Sequence, residues 1–118
     1  MKYESHYSDE VTTIDDLKRL VKQFASERHW VTSYTPKNIA LSAALEASKV
    51  IECFQGLMSE KSFELKKDPE KKQIVAEEIS DVLAHLLHLA LLLDVDLSSE
   101  LVKKMKKDEI SRPAPDMS

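Results

Sequence analysis

Two acidic residues and two histidines lie on one stripe of an apolar segment in the second half of the sequence. Glu78, Asp81, His85 and His88 recur every three or four residues, which is the spacing of one helical face. Ionised carboxylates beside core leucines are costly unless they are paired or bind a cation. The stripe therefore indicates a cation site, with two alternatives: it faces solvent, or lysines from another helix pair with it. Either histidine alone is more typical of a satisfied core or interface residue.

A second polar stripe runs along the preceding apolar segment. Its members are Asn38, Ser42, Glu46 and Lys49. If the two segments are neighbouring helices, Glu46 joins Glu78 and Asp81 in a set of oxygen ligands of the kind that Mg²⁺ takes, with substrate phosphates and water completing the octahedron. A chain with one glycine has no glycine-rich phosphate loop, so the metal itself would have to hold the phosphates. These residues predict a site for phosphate chemistry.

Four segments have the end signals and the apolar spacing of helices. They run from Thr13 to about Arg28, from Thr35 to Gly56, from Asp68 to Leu93, and from Ser98 into a lysine-rich stretch. The second and third begin with a capping residue followed by proline, which has no donor to lose at the first helical position. We expect Gly56 to end the second helix in a left-handed conformation. We also expect that helix to be largely buried, and the fourth to turn Leu101, Val102 and Met105 inward. Segment 57–67 is either a loop or a short helix.

The composition favours an all-α fold, a bundle of four or five helices. One glycine and four prolines leave few turn residues for a sheet, in a chain that is 42% hydrophobic and 32% charged. The 118 residues suffice for one domain, which we place at 12–111 between a flexible arm (1–11) and an extended tail (112–118). The second and third helices have more apolar circumference than one short chain can cover, so we expect a homodimer or homotetramer.

Charge and the length of apolar runs disfavour several kinds of partner. The net charge is −4 with no long block of one sign, so no nucleic-acid partner is expected. The apolar run of the third helix is broken by His85, His88 and Asp94 and falls short of the roughly 20 residues of a membrane span. One cysteine, Cys53, and a polar N-terminal segment make the cytoplasm the expected compartment. A di-iron bundle is disfavoured because its Glu-x-x-His pair does not occur in the sequence.

Several short motifs follow one another in a defined order. The first half contains FASERHW at 24–30, TPKNIAL at 35–41, Glu46, and ECFQ at 52–55. The second half contains EEISDVL at 77–83, DVDL at 94–97, and the pair Lys104-Met105. Over about residues 14–113 this ordered set resembles the MazG-like, all-α nucleoside triphosphate pyrophosphatase superfamily, in particular its dCTP pyrophosphatase-like branch. EEISDVL is similar to the family's second metal motif.

The resemblance implies a hydrolase that uses Mg²⁺, or Mn²⁺ in its place, to convert a nucleoside or deoxynucleoside triphosphate to the monophosphate and pyrophosphate in nucleotide-pool house-cleaning. It implies catalytic and metal-binding roles for Glu46, Glu78 and Asp81. It implies nucleotide-binding roles for Trp30, Asn38 and Lys104. The site is expected between the second and third helices and is expected to be completed by a neighbouring subunit.

The pocket residues depart from the family pattern. Lys49 stands where the first metal motif has its second glutamate, Tyr34 where many relatives have histidine, and His85 where tyrosine is usual. We assign Tyr34 and His85 to substrate binding and Lys49 to the catalytic set. Lys49 either supplies the charge of a second cation in a one-metal enzyme, or fills the cation site of a catalytically impaired nucleotide-binding or regulatory homologue.

Overall fold

The computed structural model describes residues 6–30 and 34–116. Within these ranges the chain forms four α-helices, a 3₁₀ helix and no strand. The elements are α1 (Ile14–Glu27), α2 (Pro36–Glu52), the 3₁₀ helix (Ser59–Lys67), α3 (Pro69–Leu92) and α4 (Leu97–Ser111). The all-α prediction is confirmed, and the segment that was open between a loop and a short helix is mostly the 3₁₀ helix.

Local hydrogen bonds start the first three α-helices at the predicted residues. Thr13 Oγ1 accepts from the Asp16 amide at 3.0 Å, while the Thr13 amide donates to Asp16 Oδ2 at 2.9 Å, which is a reciprocal capping box. The side chains of Thr35 and Asp68 cap α2 and α3, where proline takes the first helical position. α4 begins one residue earlier than predicted, because the Asp96 side chain accepts from the Ser99 amide and caps it.

α2 ends earlier than predicted. Its last residue is Glu52, and a turn over residues 53–56 follows. Gly56 has a left-handed φ of +82°, as expected, but it closes that turn rather than the helix. The helix therefore loses the last turn that periodicity alone assigned to it.

α3 is the central element, and α1, α2 and the 3₁₀ helix pack against it. The buried apolar side chains among the described residues are Ala25, Ile39, Ala43, Val75, Leu87 and Ala90. Residues three apart on a helix share a face. Buried Ala43 therefore puts Glu46 on the face of α2 that meets α3, and buried Val75 puts Glu78 on the face of α3 that meets α2. The packing of two small apolar residues thus positions two carboxylates.

The prediction that the second helix is largely buried is wrong for a single chain. Only Ile39 and Ala43 of α2 are buried. Leu41, Leu45 and Ile51 are each more than half exposed. The periodicity identified apolar positions correctly, but α3 covers only one side of the helix.

The inward orientation predicted for the fourth helix is also wrong for a single chain. Leu101 is 61% exposed, and Val102 and Met105 are each 53% exposed. α4 departs from α3 at a bend of 101°, with Asp94 at a left-handed φ of +54° in the break. The packed unit within one chain is therefore α1, α2, α3 and the 3₁₀ helix, and α4 extends from it.

The predicted domain bounds remain a prediction. Residues 6–11 and 112–116 lie outside the helices and are exposed, while residues 1–5 of the arm and 117–118 of the tail lie outside the described residues. Among the helices described, none alone is long and apolar enough to cross a membrane; α3 and α4 meet that test only as a bent pair, by length and composition.

Candidate metal and nucleotide site

Three carboxylates meet where α2 packs against α3. Glu46 of α2 and Glu78 and Asp81 of α3 each offer one oxygen, and these oxygens lie within 4.8 Å of one another. Glu78 and Asp81 stand one helical turn apart, so both reach the same side of α3. The structure thus brings together the three residues predicted to bind metal, and we refer to them below as the carboxylate cluster. Their role as ligands remains a prediction.

Two oxygens of the carboxylate cluster are buried without a partner. Glu46 Oε2 and Glu78 Oε2 are shielded from solvent and have no hydrogen-bond partner among the described residues. A buried acceptor that is left unsatisfied costs about 1–3 kcal/mol, and more when it is charged. Carboxylate oxygens are the ligand type that Mg²⁺ and Mn²⁺ prefer. The donor set therefore fits a hard divalent cation.

Lys49 lies at the edge of the carboxylate cluster. Its Nζ is 3.2 Å from Glu46 Oε1, one helical turn away; 51% of the lysine side chain is exposed, against 19% of the glutamate side chain. The hydrogen bond to Glu46 raises the pKa of Lys49, and the charges of Glu46, Glu78 and Asp81 raise it further. The lysine therefore brings a positive charge to the place where the resemblance implied another ligand.

An open cavity of about 550 Å³ adjoins this charged group. Its wall includes Glu46, Lys49 and Glu78, together with Glu52 and Cys53 at the end of α2. Glu52 is exposed and is not a member of the carboxylate cluster. The cavity offers a solvent-open approach along which a charged group could reach the cluster.

A second cavity, of about 450 Å³, lies between α1 and α3 and has an aromatic wall. Trp30, Tyr34 and His85, three of the predicted substrate-binding residues, line it. The ring centroids of Trp30 and Tyr34 are 5.1 Å apart, and those of Tyr34 and His88 are 6.1 Å apart. Aromatic faces in a half-open cavity suit a planar ring such as a nucleobase.

Phe24 and His88 also line this aromatic cavity, although neither was predicted from the sequence to bind substrate. Phe24 packs edge-on against Trp30 with ring centroids 5.3 Å apart. Its helical period made it look like an ordinary core residue. His88 had a usable signal, because it continues the stripe of Asp81 and His85 by one further turn.

The two histidines give the aromatic cavity distinct polar groups. His85 Nδ1 is 2.6 Å from the backbone oxygen of Asp81. Because a carbonyl oxygen can only accept, Nδ1 carries the proton in this contact. Burial, and then the charge of nearby His85, lower the pKa of His88, which favours its neutral form.

Asp81 connects the two regions. It contributes an oxygen to the carboxylate cluster and also lines the aromatic cavity. The carboxylate cluster and the aromatic cavity therefore adjoin each other across α3. One elongated ligand with an aromatic ring at one end and charged groups at the other could occupy both.

Two predicted nucleotide-binding residues are not brought to this region within the chain. Asn38 is exposed in the first turn of α2, and neither cavity includes it. Lys104 lies on α4, where its Nζ donates to Asp108 Oδ1 at 2.5 Å. Since α4 leaves the packed unit, Lys104 cannot be part of the site formed by its own chain in this arrangement.

Comparisons with known proteins find relatives of this chain among pyrophosphatases. No protein-family model matches the chain. dCTP pyrophosphatase 1 of Rattus norvegicus is 33% identical over 93 residues, which are 79% of this chain and 55% of the relative. The Homo sapiens dCTP pyrophosphatase 1 is 32% identical over 102 residues, 86% of this chain and 60% of the relative. The chain thus spans little more than half the length of these curated relatives.

A solved structure matches over nearly the whole chain. It is the crystal structure of a pyrophosphatase from Archaeoglobus fulgidus DSM 4304, with 31% sequence identity and a TM-score of 0.77. The match covers 96% of this chain and 100% of that one. The helical arrangement is therefore that of a known pyrophosphatase of similar extent.

Proposed function

Since this chain belongs to the MazG-like family of all-α nucleoside triphosphate pyrophosphatases, we propose that it hydrolyses a nucleoside or deoxynucleoside triphosphate to the monophosphate and pyrophosphate in the presence of Mg²⁺ or Mn²⁺. The observation that carries the proposal is the carboxylate cluster, whose three oxygens lie within 4.8 Å of one another. Two further oxygens of the cluster are buried without a partner among the described residues, and an aromatic cavity adjoins it. Nucleotide-pool house-cleaning is the corresponding cellular role.

In this proposal the carboxylate cluster and the aromatic cavity bind different parts of the nucleotide. Glu46, Glu78 and Asp81 would hold the divalent cation, which would supply positive charge against the phosphates and lower the pKa of a bound water. Trp30 and Tyr34 hold the base or sugar by ring contacts. A nucleotide held at both places would have its phosphates beside Asp81, which belongs to both the carboxylate cluster and the aromatic cavity.

The reaction then needs only water as a co-reactant. Water attacks the α-phosphorus, the bond between that phosphorus and the oxygen bridging to the β-phosphorus breaks, and pyrophosphate leaves. A carboxylate oxygen of the cluster that faces the water accepts the released proton. No protein nucleophile is required.

In this proposal a neighbouring copy of the chain completes the site. The exposed apolar residues of α2 and α4, including Leu45 and Leu101, are suited to covering by a homodimer or homotetramer. Asn38 and Lys104 would then contact the nucleotide only if a neighbouring subunit closes over the site. Light scattering at micromolar concentration tests this point, and a stable monomer there would contradict the shared site.

A second candidate function is nucleotide binding without turnover. The ion pair between Lys49 and Glu46 favours it, because an ammonium can occupy a place that a metal would otherwise take. The two candidates give opposite results in one assay. A nucleotide-binding homologue retains affinity for nucleotides but releases no pyrophosphate.

The deciding experiment measures pyrophosphate release from common and modified nucleoside triphosphates with Mg²⁺. We expect release by the wild type and its loss in Glu78→Gln and Asp81→Asn. Glu77→Gln is the matched control, because Glu77 is an exposed neighbour on α3 that accepts a hydrogen bond from Gln73 and lies outside the carboxylate cluster. Nucleotide binding without release by the wild type would favour the second candidate, and release that persists in both cluster variants would contradict the proposed site.

A further inference from the structure

The two carboxylate oxygens of Glu46 have different surroundings. Oε1 is 3.2 Å from Lys49 Nζ, whereas Oε2 is buried and has no hydrogen-bond partner among the described residues. Glu78 Oε2 is buried and unpartnered as well. One side of the cluster is thus already neutralised by the chain itself, and the other side is open to a cation.

Lys49 Nζ contacts Glu46 and lies beside the other two carboxylates of the cluster, because their oxygens and those of Glu46 lie within 4.8 Å of one another. The hydrogen bond and charge of Glu46 raise the pKa of Lys49, and the charges of Glu78 and Asp81 act in the same direction. Three ionised carboxylates carry three negative charges, which one divalent ion and one ammonium together balance. A single divalent ion together with Lys49 therefore leaves the metal-loaded cluster neutral before any nucleotide arrives.

A second divalent ion is disfavoured for two reasons. It would need carboxylate oxygens of its own, and Glu46 Oε1 is already bound to Lys49. It would also lie close to the ammonium, where like charges repel. Mg²⁺ commonly uses only one or two carboxylates, so three could serve two ions if the lysine were absent.

From this charge balance and geometry we propose that Lys49 acts as a built-in replacement for a second divalent cation, so that each chain holds one exchangeable metal ion. The inference rests on the proposed function, because it assumes that the carboxylate cluster binds metal. Half of the lysine side chain is exposed on the wall of the 550 Å³ cavity, so Nζ is also free to contact a phosphate of the nucleotide as it enters.

The test counts Mn²⁺ ions bound without nucleotide, by electron paramagnetic resonance of free Mn²⁺ and by calorimetry. We expect one ion per chain for the wild type and for Lys49→Arg, which keeps the charge. Lys49→Glu removes the repulsion and adds a carboxylate, so it should bind two. Lys103→Glu is the matched control, because Lys103 makes the same kind of pair with Glu100, at 2.8 Å on α4 away from the cluster, and should leave the count at one.

Lys49→Met provides a second test. Unlike Lys49→Glu, it does not require the fold to accept a fourth carboxylate at the cluster. It removes the competing charge without adding a ligand, so the dissociation constant for the first Mn²⁺ should fall by about tenfold. Far-UV circular dichroism checks that each variant is folded. Two ions in the wild type, or an unchanged dissociation constant in folded Lys49→Met, would overturn the inference.

The outcomes also separate this inference from the proposed function. If the wild type releases pyrophosphate but binds two ions per chain, Lys49 does not replace a second cation, and the proposed hydrolase function is retained. A wild type that binds no Mn²⁺ and releases no pyrophosphate from any nucleotide overturns both.

Discussion

Replacing Glu78 with glutamine should stabilise the metal-free protein and abolish its stabilisation by metal. The oxygens of Glu46, Glu78 and Asp81 lie within 4.8 Å of one another. At that separation two like unit charges repel by roughly 3 kcal/mol at an effective dielectric constant of about 20. Solvent around exposed Asp81 and the positive charge of Lys49 offset much of this repulsion. We therefore expect Glu78→Gln to raise the free energy of unfolding by about 1 kcal/mol and the melting temperature by about 4 °C.

Metal should stabilise the wild type but not Glu78→Gln. A cation at roughly ten times its dissociation constant stabilises the folded state by about 1.4 kcal/mol. The wild type should therefore melt about 5 °C higher with Mg²⁺ than without it. Glu78→Gln has lost a charged ligand and should melt at the same temperature with and without Mg²⁺.

The assay is thermal unfolding followed by far-UV circular dichroism, with and without Mg²⁺, for the wild type, Glu78→Gln and the control Glu77→Gln. The control should respond to Mg²⁺ as the wild type does. If Glu78→Gln melts below the metal-free wild type, or if Mg²⁺ still stabilises it, the three carboxylates do not repel one another or bind metal as proposed. The cluster would then be a structural polar contact between α2 and α3.

Three further predictions concern the aromatic cavity and the helix ends. Trp30 is the single tryptophan of the chain and lines the aromatic cavity, so nucleotide binding should quench the intrinsic fluorescence, and Trp30→Ala should weaken binding by about tenfold to a hundredfold through lost stacking. The pKa of His88 is lowered by burial and by His85, so its neutral form contributes stability that is present above the unfolded value of about 6.5 and is lost as pH falls through the lower folded pKa. The melting temperature should therefore drop less on acidification in His88→Gln than in the wild type, and equal drops would contradict this. Thr13→Ala should lower the free energy of unfolding by about 1 kcal/mol in a denaturant titration, because it removes the capping box of α1.

The features predicted correctly depend on neighbours in sequence. Thr13, Thr35 and Asp68 each accept a hydrogen bond from an amide three residues later, so a short motif is enough to locate the helix start. The pairing of Glu78 with Asp81 follows equally from helical geometry, and Glu46 joins them because the two apolar helices pack together.

The features that were missed depend on contacts that no local pattern encodes. The direction of α4 follows from the bend after α3, where Asp94 has a positive φ that is unusual for a residue with a side chain. Phe24 has the helical period of a core residue, and periodicity does not distinguish a core position from the wall of a cavity. The exposure of α2 reflects the limited surface that α3 can cover, which depends on the whole packing rather than on the helix.

The central claim is that water attacks the α-phosphorus of a nucleoside triphosphate at the carboxylate cluster. Incubation with a mixture of nucleoside and deoxynucleoside triphosphates and Mg²⁺ in ¹⁸O-labelled water, followed by mass spectrometry of the products, tests it most directly. The account predicts nucleoside monophosphate carrying one ¹⁸O atom together with unlabelled pyrophosphate, and neither product with Asp81→Asn. Label in pyrophosphate, release of orthophosphate, or unchanged products with Asp81→Asn would contradict it.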